Sequence, residues 1–180
     1  MSIPFADLPL FSLGTAALAW ISRNALRQPG SHGFWRFFAW ETILGLSVLN
    51  RDAVGPQLLS ESLLQFSLVP AGLGLLALIR RGKTGVERAD TALLGFERTT
   101  RLVTQGIYRH IRHPMYLALL ALNWGMFFRA PSVTGVALAA LASAFLLRTA
   151  YAEEAESVAY FGEPYRDYMK RSWRFIPWIY

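Results

Sequence analysis

Five apolar segments occupy about half of this chain of 180 residues, and they constrain its fold more than any other feature. Several are shorter than the ~20 residues that cross a bilayer upright, although flanking aromatic residues and a thin local bilayer offset part of the deficit. With 53% hydrophobic and 17% charged residues, the composition also departs from that of soluble proteins. We therefore predict an all-α, multispanning membrane protein with about five transmembrane helices in one domain. The segments run over about Leu8–Ile21, Phe34–Leu49, Leu58–Ile79, Met115–Phe128 and Val133–Tyr151.

The distribution of positive charge predicts the orientation of these segments. From Arg80 to His113 the chain has eight lysines and arginines against three acids, a net charge of +5. Arg23 and Arg27 also lie between the first two segments, with Arg36 at the start of the second, and loops rich in such bases stay in the cytoplasm. This places the amino terminus outside and the carboxyl terminus inside. The chain then divides into three membrane helices (1–79), a cytosolic basic loop (80–114), a transmembrane hairpin (115–151) and a cytosolic tail (152–180).

Composition also excludes several functions. The chain has no cysteine, so it has no disulfide, no thiolate nucleophile and no Cys-ligated metal. Three histidines are too few for the di-iron centres of membrane oxygenases, and we expect no metal. The basic loop lies between apolar segments, which favours anionic lipid headgroups over nucleic acid as its neighbour. The first residues lack the basic leader of a secretory signal, so we expect them to be retained.

Proline and glycine predict the boundaries of the later helices. Proline is favoured at the first position of a helix, so Pro114 is expected to open the fourth segment and Pro131 the fifth. Gly162 and Pro164 predict a stop and a restart, followed by a short helix from Tyr165 to Arg171. We expect that helix to expose Tyr165 and Tyr168 on one face. The residues after it are typical of an interfacial anchor, namely Trp173, Phe175, Ile176, Trp178 and Tyr180.

His113 is expected at the mouth of the fourth segment. A residue before proline is biased away from helical dihedrals, which leaves its side chain at the lip of the helix. The unpaired N–H groups of the first turn, together with Arg109 and Arg112, make a positive end suited to a carboxylate or a phosphate. The alternative is that these are ordinary juxtamembrane bases.

Two adjacent acids, Glu153 and Glu154, follow the fifth segment on the side that is otherwise basic. Glu154 shares a helix face with Val158 and Phe161, toward packed protein, whereas Glu153 points about 100° away. We therefore expect Glu154 to be the acid that faces a ligand. The alternative is a salt bridge from Glu154 to Arg109 or Arg112 that only ties the hairpin ends together.

Three polar residues inside apolar segments are further candidates, because polar groups at membrane depth are often functional. Arg148 is expected to hold an acceptor carboxylate, or else to snorkel to the interface. Asn123 is a candidate substrate contact that could instead bond a neighbouring helix. Glu41 could line a cavity or cap a neighbour.

Several of these residues belong to one ordered series of motifs. It comprises Gly106-Ile107-Tyr108, then Arg112-His113-Pro114-Met115-Tyr116, a hairpin, Glu153-Glu154, Phe161-Gly162-Glu163-Pro164-Tyr165-Arg166-Asp167-Tyr168, and a terminal Ile-Pro. The series covers roughly the second half of the chain and resembles the isoprenylcysteine carboxyl methyltransferase and phospholipid methyltransferase superfamily. One departure is Ala118, where the family often has glycine.

The resemblance implies an enzyme that binds S-adenosylmethionine (SAM) in a cytosol-facing pocket formed by the final hairpin and the tail. It implies methylation of a membrane-soluble acceptor, which is a carboxylate in the isoprenylcysteine branch. From their positions in the chain, we expect Arg148 and Glu154 to be the catalytic residues. Phospholipid N-methylation, an NADPH-dependent steroid-reductase-like activity, and a noncatalytic scaffold are the alternatives. The cofactor contacts it implies are Gly106, Tyr108, His113, Tyr116 and Glu154, with Glu153, Tyr165 and Tyr168 in support, and we add Arg112 and Pro114 of the same motif. The candidate substrate contacts remain the three polar residues at membrane depth, Glu41, Asn123 and Arg148.

Overall fold

The computed structural model describes residues 7–52, 57–83, 94 and 99–178. In these ranges the regular structure is helical, and the predicted all-α class is confirmed. Two 3₁₀ segments, Ala25–Arg27 and Gly106–Arg109, accompany the α-helices. The α-helices are α1 (Leu8–Ile21), α2 (His32–Leu49), α3 (Gln57–Arg81), α4 (Pro114–Arg129), α5 (Val133–Phe161) and α6 (Glu163–Lys170).

Two helices of the described part are long and apolar enough to cross a membrane, over Leu58–Arg81 in α3 and Val133–Phe161 in α5. The shorter α1 is also apolar. All five predicted apolar segments are helical, but the number of spans stays a prediction. The outer face of α3 carries large exposed apolar side chains, which fits contact with lipid tails. These include Leu58, Leu68, Val69, Leu73 and Ile79.

The predicted helix starts are correct at α4 and wrong at α5. Pro114 is the first residue of α4. Pro131, however, lies outside α5, which begins at Val133. Ser132 is the N-cap, and its Oγ accepts a hydrogen bond from the N–H of Gly135 at 3.0 Å. A hydroxyl cap satisfies an N–H of the first turn, so the helix starts after the serine rather than at the proline.

Close helix pairs build the bundle: α2 packs on α5, α3 packs on α4, and α4 also contacts α5. Glycine permits the tight approach of α3 to α4, because a Cβ on Gly74 would lie 3.0 Å from Pro114 and one on Gly125 would lie 2.9 Å from Leu64. The core lies between α2, α4, α5 and the tail. Its buried residues are Ala39, Ile43, Tyr116, Ala142, Leu146, Ala150 and Phe175.

Helix α5 continues past the expected end of its apolar segment, to Phe161, and Gly162 then has a positive φ of 65°. The predicted stop and the short helix after it are confirmed. The expected exposure of Tyr165 and Tyr168 is wrong, since the two side chains are 5% and 2% exposed. They share a face, but that face packs against α5 and the segment before α4.

The carboxyl-terminal tail lies along the segment that precedes α4. The N–H of Arg112 donates to the carbonyl of Trp173 at 2.7 Å, and the N–H of His113 donates to that of Arg174 at 3.1 Å. Phe175 is buried in the core, so its assignment to an interfacial anchor is wrong, whereas Trp178 is 84% exposed. Residues 84–93 and 95–98 of the predicted basic loop, and Tyr180, lie outside the described residues.

Candidate functional site

Two adjoining cavities lie where the segment before α4 meets α3, α5 and α6. The larger has a volume of about 330 Å³ and the smaller about 80 Å³. Leu78, Tyr108, Arg112 and Glu153 line both. Molecules bound in the two cavities would therefore share these four side chains as contacts.

The larger cavity extends between α2, α3 and α4 and is mostly apolar. Its polar end carries four charged or titratable groups, Arg36, Arg112, His113 and Glu153. Leu68 lines it and is also 72% exposed on the outer face of α3, so this wall is thin. The other lining residues are Trp40, Ser67, Ala71, Leu78, Tyr108, Pro114, Met115, Tyr116, Ala118, Leu119 and Leu122.

The smaller cavity lies nearer the tail. One face of α5 lines it through Glu153, Ser157 and Phe161, which are four residues apart and so point the same way. Tyr165 and Tyr168 of α6 form another wall. The remaining lining residues are His32, Leu78, Thr99, Leu102, Val103, Tyr108 and Arg112.

Glu154 is buried in a cluster of positive side chains. Its carboxylate accepts from Arg112 Nε at 2.8 Å, from Arg174 Nη2 at 2.6 Å and from Arg174 Nε at 3.1 Å. His113 Nε2 lies 3.2 Å from the same carboxylate. Arg112 also donates to the carbonyls of Met169 and Ser172. The cluster joins α4, α5 and the tail through charge-assisted hydrogen bonds.

The positions of the two acids differ from the sequence prediction, because Glu153 rather than Glu154 lines the cavities. Glu154 does point into packed protein, as expected, but it lines neither cavity and its oxygens are engaged by arginines. The salt bridge to Arg112, left open as an alternative, is present. Glu153 lines both cavities, and its side chain is 35% exposed. Arg174 of the tail covers the outer side of Glu154, and the expectation that Glu154 faces a ligand stays a prediction.

His113 stands between both acids. Its Nδ1 lies 3.7 Å from Glu153, and its ring stacks on Tyr116 with centroids 5.4 Å apart. Burial by itself lowers the pKa of this imidazole, but hydrogen bonds and charge attraction from Glu153 and Glu154 outweigh burial and raise the pKa above 6.5. The ring is thereby favoured as a cation that holds the two carboxylates together.

The two tyrosines of α6 stay neutral hydrogen-bonding groups. Burial raises the pKa of Tyr165 and of Tyr168 well above the ordinary value of 10.0. The Tyr168 hydroxyl donates to the carbonyl of Tyr108 at 2.6 Å. This bond ties α6 to the 3₁₀ segment and fixes the wall that both cavities share.

The remaining predicted cofactor residues separate into two groups. Pro114 and Tyr116 line the larger cavity. Gly106 lines neither cavity; it has a φ of +65°, and a Cβ there would lie 3.4 Å from Arg81. Its glycine therefore serves the turn before Tyr108. Ala118 places its methyl in the cavity wall rather than in a helix contact.

The three predicted substrate residues lie away from both cavities. Arg148 is exposed, with its guanidinium 5.3 Å from the centre of the Trp35 ring. Asn123 is buried and donates to the Ala139 carbonyl of α5 at 2.9 Å, which is the bond to a neighbouring helix that was the alternative to substrate contact. Glu41 accepts from Thr15 of α1. None of the three lines either cavity, and their role in binding a substrate stays a prediction.

Three residues of the site were missed by the sequence reasoning. Arg36, 1% exposed, lines the larger cavity, and His32, also 1% exposed, lines the smaller one. Arg174 completes the cluster around Glu154. Arg36 had been assigned only to a cytoplasmic loop, and its position four residues inside α2 was the available signal. No local pattern marks His32 or Arg174.

Comparison with known proteins agrees with this geometry. A family model described as phospholipid methyltransferase matches residues 77–163, which include Tyr108, His113 and both acids. The resemblance to the membrane methyltransferase superfamily is confirmed. Methanethiol S-methyltransferase 1 of Bradyrhizobium diazoefficiens is a distant relative, 31% identical over 97 residues.

The family model leaves α1, α2, most of α3 and residues 164–180 outside its match. The aligned part covers 52% of this chain but only 33% of the methanethiol methyltransferase, so the chain spans about a third of that relative's length. No solved structure gives a significant match. The similarity to membrane methyltransferases, together with two apolar helices long enough to span a bilayer, indicates that the protein is membrane-associated.

Proposed function

We propose that this protein transfers a methyl group from SAM to a membrane-soluble acceptor. The observation that carries the proposal is the convergence of four motif elements, distant in sequence, on two adjoining cavities. Tyr108, Arg112, Glu153 and Tyr165 come from the 3₁₀ segment, the approach to α4, α5 and α6, and all of them line the smaller cavity. The first three of these residues lie in the part of the chain that the methyltransferase family model matches, residues 77–163.

The residues present fit the chemistry of SAM. An α-ammonium group and a sulfonium need a negative partner, and Glu153 supplies a partly exposed carboxylate at the junction of the cavities. A carboxylate of the cofactor needs a cation, and Arg112 is beside it in both walls. An adenine ring needs flat apolar walls, which Leu102, Val103 and Phe161 provide. We therefore assign the cofactor chiefly to the smaller cavity and the junction.

The larger cavity fits an apolar acceptor. Its walls are mainly aliphatic and aromatic, and Leu68 separates it from the lipid-facing side of α3. Arg36 lies at the polar end of this cavity, with its guanidinium 4.9 Å from the Trp40 ring centre. We propose that Arg36, rather than Arg148, holds the acceptor's carboxylate through charge-assisted hydrogen bonds. The acceptor class is then a lipid-soluble carboxylic acid, as in the isoprenylcysteine branch of the superfamily.

The chemistry requires little from the side chains. When bound, the cofactor supplies a methyl group that its own sulfonium has activated. Arg36 orients the acceptor oxygen, Glu153 and Arg112 hold the donor, and the apolar walls exclude water. Held by Glu153 and Arg112, the cofactor would supply its methyl group to the acceptor oxygen that Arg36 orients, so that a carboxylate and a sulfonium would become an ester and a thioether. A low-dielectric cavity favours such a merging of opposite charges.

We also propose that the site faces the cytoplasm. His113 and Glu154 lie at the same end of the bundle, beside the basic carboxyl end of α3. Arg80 and Arg81 in that last turn are the kind of residues that remain on the cytoplasmic side.

Titration of the purified protein with SAM and with NADPH tests the proposal. We expect SAM to bind and NADPH not to bind. Glu153→Gln should weaken SAM binding about tenfold or more, because it removes a charged partner at the junction. Glu163→Gln is the matched control, since this exposed acid lies in α6 and pairs with Arg166. NADPH binding without SAM binding would favour a reductase, and binding of neither would refute an enzyme that uses these cofactors.

The acceptor assignment has its own test. Arg36→Met should raise the acceptor KM at least tenfold with SAM affinity unchanged, whereas Arg148→Met should leave both values near wild type. If Arg148→Met has the larger effect on KM, the assignment of the acceptor to the larger cavity is wrong.

A further inference from the structure

A further cavity, of about 460 Å³, lies between the segment before α4 and the carboxyl-terminal tail. No charged side chain of the candidate site lines it. Among the described residues, it shares Tyr168 with the smaller cavity of that site. Its other lining residues are Thr104, Arg109, His110, Arg171 and Trp173. The cavity therefore adjoins the candidate site but presents a different set of charges.

The charged side chains around this cavity are basic. Arg109 and His110 lie at the end of the 3₁₀ segment, and Arg171 follows α6; all three are exposed. No acid is among the lining residues that the structure describes. Asp167, one turn before Arg171, pairs instead with Lys170 at 2.8 Å and does not line the cavity. A concave space with charges of one sign favours a ligand of the opposite sign, here an anion.

Hydrogen bonds hold the two sides of the cavity together. The N–H of Trp173 donates to the carbonyl of His110 at 3.0 Å. The hydroxyl of Tyr168 donates to the carbonyl of Tyr108 at 2.6 Å. One arginine of the cavity belongs to the 3₁₀ side of this junction and the other to the tail. An anion bound by both would bridge the two segments and stabilise the packing of the tail.

The position of the cavity indicates an anion at the membrane surface. Arg109 and His110 precede Pro114 by a few residues, and the apolar helix α4 begins there. Trp173 lines the cavity, and its ring centre is 5.5 Å from that of Trp178, which is 84% exposed. Tryptophan is enriched at the level of the lipid headgroups. Basic pockets beside membrane helices are suited to phosphate-bearing headgroups.

We propose that this cavity binds the phosphate group of an anionic phospholipid headgroup. Arg109 and Arg171 supply guanidinium N–H donors, whose planar geometry matches the oxygens of a phosphate. Thr104 and His110 are further polar groups that can contact the rest of the headgroup. Inorganic phosphate has the same chemistry, but the tryptophans beside the cavity favour the lipid. The inference holds whether or not the protein uses SAM, because it concerns a separate cavity.

Thermal unfolding of the full chain in a neutral detergent tests the proposal. The probes are dioleoyl phosphatidylglycerol, dioleoyl phosphatidylcholine and inorganic phosphate, each added separately. With phosphatidylglycerol at about tenfold its dissociation constant, the Tm of the wild type should rise by about 3–6 °C. Phosphatidylcholine should have little effect, because its choline group cancels the charge of the phosphate. Inorganic phosphate should also have little effect, because nothing holds it at the micelle surface.

Substitutions locate the effect. Arg109→Gln and Arg171→Gln should each reduce the rise in Tm to less than about half, because each removes a charged donor. Arg166→Gln is the matched control, since this exposed arginine of α6 pairs with Glu163 and does not line the cavity. It changes the net charge equally and should keep the full rise. If an arginine variant folds poorly in detergent alone, His110→Gln gives a second measurement, with a smaller loss expected.

Three results would overturn the assignment. No rise with phosphatidylglycerol, or an equal rise with phosphatidylcholine, would show that the cavity does not bind an anionic headgroup. A rise with inorganic phosphate alone would replace the lipid with a soluble anion. An equal loss in Arg166→Gln and in Arg171→Gln would show that the overall charge of the protein attracts the lipid, without a specific site. The titration with SAM is a separate measurement, so these results leave the proposed function unaffected.

Discussion

Replacing the two acids of the Glu-Glu pair one at a time should show that Glu154 contributes mainly to stability and Glu153 mainly to SAM binding. Glu154→Gln removes a charge that is 5% exposed and contacts Arg112 and Arg174, whose side chains are 9% and 12% exposed. Removing one member of a buried ion pair costs about 3–5 kcal/mol, because the opposite charge stays buried. Glutamine keeps one acceptor oxygen, and Arg112 keeps its carbonyl partners, so we expect about 3 kcal/mol.

Glu153→Gln should behave in the opposite way. Its side chain is 35% exposed, and its contact with His113 is long at 3.7 Å, so its removal should cost under ~1 kcal/mol of stability. Its larger effect should be on SAM affinity, since Glu153 lines both cavities.

The assay is thermal unfolding of each variant in detergent, with and without SAM. A change of 3 kcal/mol corresponds to a fall in Tm of about 6–12 °C for a chain of this size. Glu154→Gln should show that fall and still be stabilised by SAM, whereas Glu153→Gln should unfold near the wild-type temperature with little stabilisation by SAM. An unchanged Tm for Glu154→Gln, or an equal fall for both variants, would contradict the division of roles.

Three further predictions concern stability. The pKa of His113 is raised above 6.5 in the folded protein. The stabilisation that the charged imidazole gives to the folded state should therefore be complete below pH ~6.5 and be lost as pH rises through the folded-state pKa. Tm measured from pH 6 to 9 should fall more in wild type than in His113→Asn. Gly125→Ala should destabilise by about 1–3 kcal/mol through contact with Leu64, whereas Gly72→Ala, with nothing within 4 Å, should be neutral or stabilising in the same unfolding assay. Ser132→Ala should cost about 1 kcal/mol in that assay by removing the cap of α5; no loss would show that the cap bond contributes nothing.

The sequence by itself determined where the helices lie and that His113 comes close to the Glu-Glu pair. Apolar segments predicted where α1 to α5 lie, and Pro114 and Gly162 fixed two boundaries, because these features act within a few residues. A short hairpin also has to return its ends to one side of the bundle, so the proximity of His113 to the acids followed from segment order. The prediction that Pro131 opens α5 was wrong because the adjacent Ser132 caps the helix.

Tertiary structure alone decided which side chains face the cavities. Helical phase showed that Glu154 points inward, but only the packing of the tail showed that Arg174 covers it and leaves Glu153 at the cavity wall. The contacts of His32 with Glu156 join residues 124 positions apart, and Arg36 enters the site from the same distant helix. Local patterns specify a helix and its buried face, whereas the partner across that face depends on how separate helices and the tail pack together.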